Sequence, residues 1–221
     1  MWARAHRWLA MGLVIPLLVW SVTGLVFHLK PGWARAYDQL DEARPGPLDL
    51  AAVTAIASLP RPGPGPATSR LELFDSVLGP LYRVTTLDGG ALYDGRTGAR
   101  RSPLTVADAR ALAVDAVVRS EHHAAYGAPV DARETAAEVR IQFAGGAVVR
   151  VGRDDGRLTQ RGADTDRIDW LYRLHYLQWT GNRAIDRMIA LAGLVLIWLA
   201  AVPGLVLAAR RLRRRSDRQP R

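Results

Sequence analysis

The chain contains no cysteine in 221 residues, which excludes disulfides, thiolate metal sites and c-type haem attachment and leaves the redox compartment open. It has one lysine, Lys30, against 29 arginines, a bias of coding rather than of chemistry. No P-loop, no Gly-x-Gly-x-x-Gly after a strand and no Ser/His/Asp ordering is present. The chain is therefore not expected to act as an enzyme on its own. The most informative absence is local: Trp8 to Leu29 and Met188 to Ala209 are two runs of 22 residues without a formally charged side chain. As helices rising about 1.5 Å per residue, each covers roughly 33 Å, the thickness of a bilayer's hydrocarbon core.

The charge is arranged around those runs. Of the formal +9, two arginines lie in residues 1–7, and residues 210–221 hold seven arginines against one aspartate, while residues 30–187 hold 21 basic against 20 acidic residues. A nucleic-acid binder would carry its excess on a folded face, so nucleic acid is not an expected partner. Basic clusters beside spans mark the cytoplasmic side, and both ends give the same answer: termini inside, residues 30–187 exported. The alternative for the first run is a cleaved signal peptide, with Ala34-Arg35-Ala36 as an A-x-A site, although 22 residues exceed the usual 7 to 15 of its apolar region. The expected partners are the lipid bilayer, which anionic headgroups would tie to the basic ends, and another membrane or periplasmic protein.

Periodicity divides the chain further. A basic head (1–7), a first span (8–29) and a polar connector (30–47) lead into a helix over Leu48–Leu59, a turn-rich loop over Arg61–Ser69, and strands at Arg70–Asp75, Leu81–Leu87 and Ala91–Asp94. The order then repeats, with a helix at Thr105–Ser120 and strands at Ala137–Phe143, Ala147–Val151 and Leu158–Gln160. An offset of about 57 residues brings Asp94-Gly95-Arg96 near, though not onto, Asp155-Gly156-Arg157, which stands 61 positions on. Two units, 48–103 and 104–163, are thus expected to pool their cores into one α+β module. An amphipathic, aromatic-rich helix lying in the outer interface is expected over 164–187, then a second span (188–209) and a basic tail (210–221). Acidic residues Asp164, Asp166 and Asp169 suit that helix's N-terminus, and His122-His123 reads as a solvated helix end. In the spans, Gly12, Pro16, Trp20, Gly24 and His28 share one face, and Ala200, Gly204 and Ala208 form a small-residue stripe that admits another helix, most simply the first span.

The helix-then-strands units with their Asp-Gly-x-x-Gly turn resemble PepSY domains. His6-Arg7-Trp8-Leu9, the S-V-T-G-L-V of Ser21–Val26, the L-H-Y-L-Q-W-T-G-N of Leu174–Asn182 and the V-P-G-L-V of Val202–Val206 resemble the PepSY-associated transmembrane family. The resemblance implies a membrane α+β protein of the bacterial inner membrane with a periplasmic domain. Siderophore-reducing members of that family, with four spans where this chain has two, carry haem on histidines, and the resemblance implies the same role here.

Two residues fit that chemistry. His28 ends the first span and His175 precedes the second, so both fall at the outer membrane face, where two histidines on neighbouring helices can ligate one b-type haem. The plainer reading, that both are interfacial residues hydrogen-bonded to backbone or headgroups, stands beside it. His6 has no cytoplasmic histidine partner for a second haem. The expected function is an electron-transfer subunit reducing an envelope metal or siderophore partner, or else an accessory protein whose exported module binds a peptide, a protease or a membrane complex; a homodimer would supply four helices.

Overall fold

The computed structural model describes residues 2–54 and 70–216. The expected loop Arg61–Ser69 and residues 55–59 of the expected Leu48–Leu59 helix lie outside them. Two compact units emerge, one made of Met1–Pro31 with Arg167–Arg221, the other of Gly32–Asp166.

The first unit holds the two long helices, α1 (Trp2–Leu29) and α6 (Arg183–Ser216). Their segments Arg4–Leu29 and Arg183–Arg210, with mean hydropathies of 2.2 and 2.5, are long and apolar enough to cross a membrane. Both helices keep an internal proline, Pro16 and Pro203, which membrane helices tolerate when neighbours satisfy the freed carbonyl. Their apolar side chains point away from protein: Ile15 and Leu205 are each 71% exposed, as a lipid-facing surface requires. Helix α6 begins before Met188 because the Asn182 side chain accepts from the amides of Ala184 (3.0 Å) and Ile185 (3.4 Å) and so caps it.

The second unit starts with α2 (Trp33–Ala36). A single 3₁₀ turn, Leu50–Ala52, capped by the Asp49 carboxylate on the Ala51 amide, stands where a helix was expected. Helix does not continue there because Val53 is extended and Thr54 donates its amide to Gly95 O at 2.7 Å; the backbone is captured by the neighbouring turn. Strands β1 (Arg70–Phe74), β2 (Leu81–Thr86) and β3 (Gly89–Asp94) form an antiparallel sheet in that order. Among the described residues the first sheet has this 3₁₀ turn beside it and not a longer helix.

Helix α3 (Val106–Arg119) opens with a reciprocal capping box between Thr105 and Asp108. It buries Ala109, Leu112, Ala113, Ala116 and Val117, one apolar stripe at helical spacing. After α4 (His123–Tyr126) a second sheet follows, β4 (Pro129–Glu134), β5 (Glu138–Phe143), β6 (Val148–Gly152) and β7 (Leu158–Arg161), ordered 4-5-6-7. Strand β4 escaped the periodicity because Pro129, Asp131 and Glu134 break its apolar alternation, and a register shift lies between Pro129 and Asp131. Val139, Ile141, Phe143, Val149 and Val151 alternate inward and are fully buried, each worth roughly 1.5–3 kcal/mol.

One core runs across both sheets, from Phe74, Leu81 and Leu92 to Ile141 and Val151. The Asp155-Gly156 turn joins them. A Cβ on Gly90 would lie 2.6 Å from Asp155 Cβ, and Gly156, with φ +68°, packs near Leu92, Leu104 and Leu112. Arg83, 5% exposed, donates to Asp155 O at 2.7 Å and pairs with Glu42 and Glu72. The offset seen in the sequence has a structural counterpart: Asp94-Gly95 follows the third strand of the first sheet and Asp155-Gly156 the third of the second. An isolated bridge, Tyr93 to Arg100, then takes the place of β7.

Helix α5 (Ala163–His175) ends twelve residues short of the expected 187. The chain breaks because Leu177 (φ 55°) and Gly181 (φ 74°) adopt left-handed conformations, which ends a right-handed helix.

Candidate functional site

The Leu174–Asn182 stretch is a helix–turn–helix junction rather than continuous helix. The Asp186 carboxylate, on the first turn of α6, accepts from the Trp179 amide (3.1 Å), the Thr180 amide (2.9 Å) and the Thr180 hydroxyl (2.8 Å). Three donors on one carboxylate fix the loop to the helix that follows. Gln178 donates its amide to Arg173 O at 2.8 Å and closes α5. His175, the last residue of α5, is thereby held.

Its ring lies against α1. The Nδ1 of His175 is 2.8 Å from Thr23 Oγ1. The Thr23 hydroxyl also lies 2.8 Å from Val19 O and 3.0 Å from Trp20 O, so its one proton goes back to the helix and its oxygen accepts from the imidazole. That network assigns the proton of a neutral His175 to Nδ1 and leaves the Nε2 lone pair free. Trp20 stacks on the ring with centroids 5.4 Å apart, while Phe27 (4.9 Å) and Tyr176 (5.2 Å) meet it edge-on. Gly24 makes room: a Cβ there would lie 3.7 Å from His175 Cε1.

His28 is exposed and sits one helical turn beyond Gly24 on the same face of α1. Among the described residues it makes no hydrogen bond or ring contact, so its imidazole is free. The face predicted from Gly12, Pro16, Trp20, Gly24 and His28 is thus partly used: Trp20 and Gly24 receive His175, whereas Gly12 has nothing within 4 Å. Sequence reasoning missed Thr23, although a threonine beside a glycine inside an apolar span was a visible signal.

At the other end of the pair, Gly204 of the small-residue stripe faces His6, whose Cε1 would be 3.2 Å from a Cβ at that position. His6 Nδ1 is buried without a hydrogen-bond partner. Gly204 of the stripe therefore meets α1 at His6, in the head that precedes the first span. Between the end of α5 and the start of α6, a groove of about 1030 Å³ is lined by Arg173, Arg183 and Arg187 with Trp170 and Trp179, and touches neither His28 nor His175.

The remaining carboxylate and histidine clusters form turns, ion pairs and helix ends. Asp94 accepts from the amides of Arg96 (3.0 Å) and Thr97 (2.9 Å) and from the Thr97 hydroxyl (3.0 Å), which makes Asp94–Ala99 a plain turn. Asp164 pairs with Arg35 and Asp166 with Arg161 in the first turn of α5. His123 Nδ1 lies 3.1 Å from Ser120 O at the end of α3. Among the described residues no group of three or more metal-ligating side chains converges.

A family model described as the PepSY-associated TM region matches residues 3–221. No curated protein and no solved structure matches the chain.

Proposed function

The chain belongs to the PepSY-associated transmembrane family, and from that premise we propose that this two-helix membrane protein is an electron-transfer subunit holding b-type haem on His28 and His175. Its termini lie in the cytoplasm and its α+β unit in the periplasm, an orientation supported by the arginines of residues 1–7 and 210–221.

The observation that carries the redox reading is the hydrogen bond from His175 Nδ1 to Thr23, because it leaves Nε2 as the nitrogen able to ligate a metal. His28 fits as the second donor, since its ring is exposed and without a partner among the described residues. Haem bound there would supply one-electron transfer at a potential tuned by its ligands and their burial. Trp20 and Phe27 would fix the His175 ring plane, and Thr23 its tautomer. Two long helices enclose little on their own, so a homodimer completes a four-helix bundle around the group. The electrons go to a metal or siderophore complex in the envelope.

The test is the absorption spectrum of the full chain, purified in detergent from cells supplied with haem. A Soret band with stoichiometric haem, lost in both His28→Ala and His175→Ala, is expected. A colourless protein, or unchanged haem content in His175→Ala, overturns the reading.

A second reading, an accessory protein binding a peptide, a protease or another membrane protein, is supported by β1. Its outer edge carries no strand among the described residues, and such an edge accepts an added strand. A partner recovered from membranes that protects β1 from hydrogen exchange, with no haem present, would favour it.

A further inference from the structure

The outward face of the second sheet carries a row of like charges in register. Arg133 on β4 lies directly opposite Arg140 on β5, and Arg140 directly opposite Arg150 on β6. Arg161 on β7 pairs in register with Val148 and stands on the same face as Arg150, two residues along β6. Like charges opposite one another on neighbouring strands destabilise a sheet, and here three strands in succession repeat the arrangement.

Carboxylates answer part of it. Asp131 pairs with Arg133 at 3.1 Å, Glu138 with Arg140 at 2.5 Å and Asp166 with Arg161 at 2.7 Å. Arg150, on β6 between Arg140 and Arg161, has none among the described residues, and its Nε is buried with no hydrogen-bond partner there. A buried guanidinium nitrogen without an acceptor is costly. These four arginines, with Asp131 and Asp166, line a cavity of about 480 Å³, so four guanidinium groups face two carboxylates that are already engaged.

We propose that this cavity binds a small multivalent oxyanion, of phosphate or polycarboxylate chemistry, with Arg150 as its principal ligand. Neighbouring strands lie about 4.8 Å apart, which spreads the three in-register guanidinium groups over about 10 Å. A ligand with two or more anionic groups spans that row, and the planar forks of arginine suit the bidentate geometry of such oxygens. A monovalent anion meets only one fork. The site lies wholly in the α+β unit and does not depend on the redox reading.

The experiment is calorimetric titration of the full chain in nanodiscs of zwitterionic phosphatidylcholine, at low ionic strength, with citrate, pyrophosphate and acetate. Saturable binding of citrate or pyrophosphate, at least tenfold tighter than acetate, is expected, and the stronger of the two identifies the chemistry. Arg150→Gln should weaken it at least tenfold, whereas Arg70→Gln, on β1 of the other sheet, should leave it unchanged. Should Arg150→Gln fail to fold, Arg133→Gln and Arg140→Gln serve in its place, each with an expected loss of threefold or more. Binding of neither polyanion above acetate, or affinities unchanged by the substitutions in the row, overturns the proposal.

Discussion

Thr23 and His175 are 152 residues apart in the chain and meet at 2.8 Å. The bond is directional: the threonine returns its proton to the α1 backbone and takes one from the imidazole. Thr23→Val therefore leaves the Nδ1 proton without an acceptor in a contact of 3% residual exposure at Thr23, whereas Thr23→Ser keeps the acceptor. Hydrogen bonds between membrane helices average about 0.6 kcal/mol. Thr23→Val is expected to lose about that much to about 1.5 kcal/mol in reversible denaturant unfolding in mixed micelles, with serine restoring most of it. Equal stability of the valine and wild-type proteins would show that the contact does not form.

The absence of cysteine makes topology directly measurable. Arg96→Cys, on an exposed turn of the α+β unit, and Ser216→Cys, at the end of α6, each introduce a single thiol. A membrane-impermeant maleimide is expected to label Arg96→Cys in intact spheroplasts and Ser216→Cys only after permeabilisation. The reverse pattern would invert the orientation read from the arginines.

Two glycines in α6 separate packing from lipid contact. Gly204 faces His6 at a distance a Cβ would make tight, while Gly193 has nothing within 4 Å. Gly204→Leu is expected to destabilise the helix pair by about 1–3 kcal/mol through overpacking, and Gly193→Leu to stay within about 0.5 kcal/mol. Equal effects in an unfolding titration would mean that the stripe does not receive α1.

Much of this architecture was legible in the residues. The two uncharged runs gave both long helices, and alternation in Val139–Phe143 and Val148–Val151 gave β5 and β6, because one buried face imposes a strict period of two. What could not be read was set by tertiary contact or by a single backbone angle. Val53 is extended and the Thr54 amide is taken by Gly95 O, a contact across the chain, and Leu177 ends α5 in a conformation its own propensity disfavours. The histidines were visible as residue types at the end of the first apolar run and ahead of the second. Thr23 as the partner of one of them was not, since nothing in the spacing of positions 23 and 175 reports a hydrogen bond.

Acid should weaken the α+β unit through two aspartates. The Arg44 guanidinium, assisted by that of Arg119, holds the Asp115 carboxyl below its ordinary 3.8, against the effect of burial. At Asp94, burial pushes the carboxyl up, but the hydrogen bonds from Thr97 and Arg96 outweigh it and the net direction is down. A carboxylate whose value is lowered by folding binds protons more readily in the unfolded chain, so its stabilisation is present above the unfolded value and is lost as pH falls through the folded one. Stability is thus expected to hold from pH 7 to about 5 and to decline below about 4, where unfolded aspartates protonate. Asp115→Asn removes one titrating group and its ion pairs: the variant should be less stable at pH 7, and its curve should converge on that of the wild type as pH falls below 3.8. Near-UV circular dichroism during urea unfolding of the full chain in nanodiscs measures both curves. A constant gap between them across the acid range would remove Asp115 as a source of the decline.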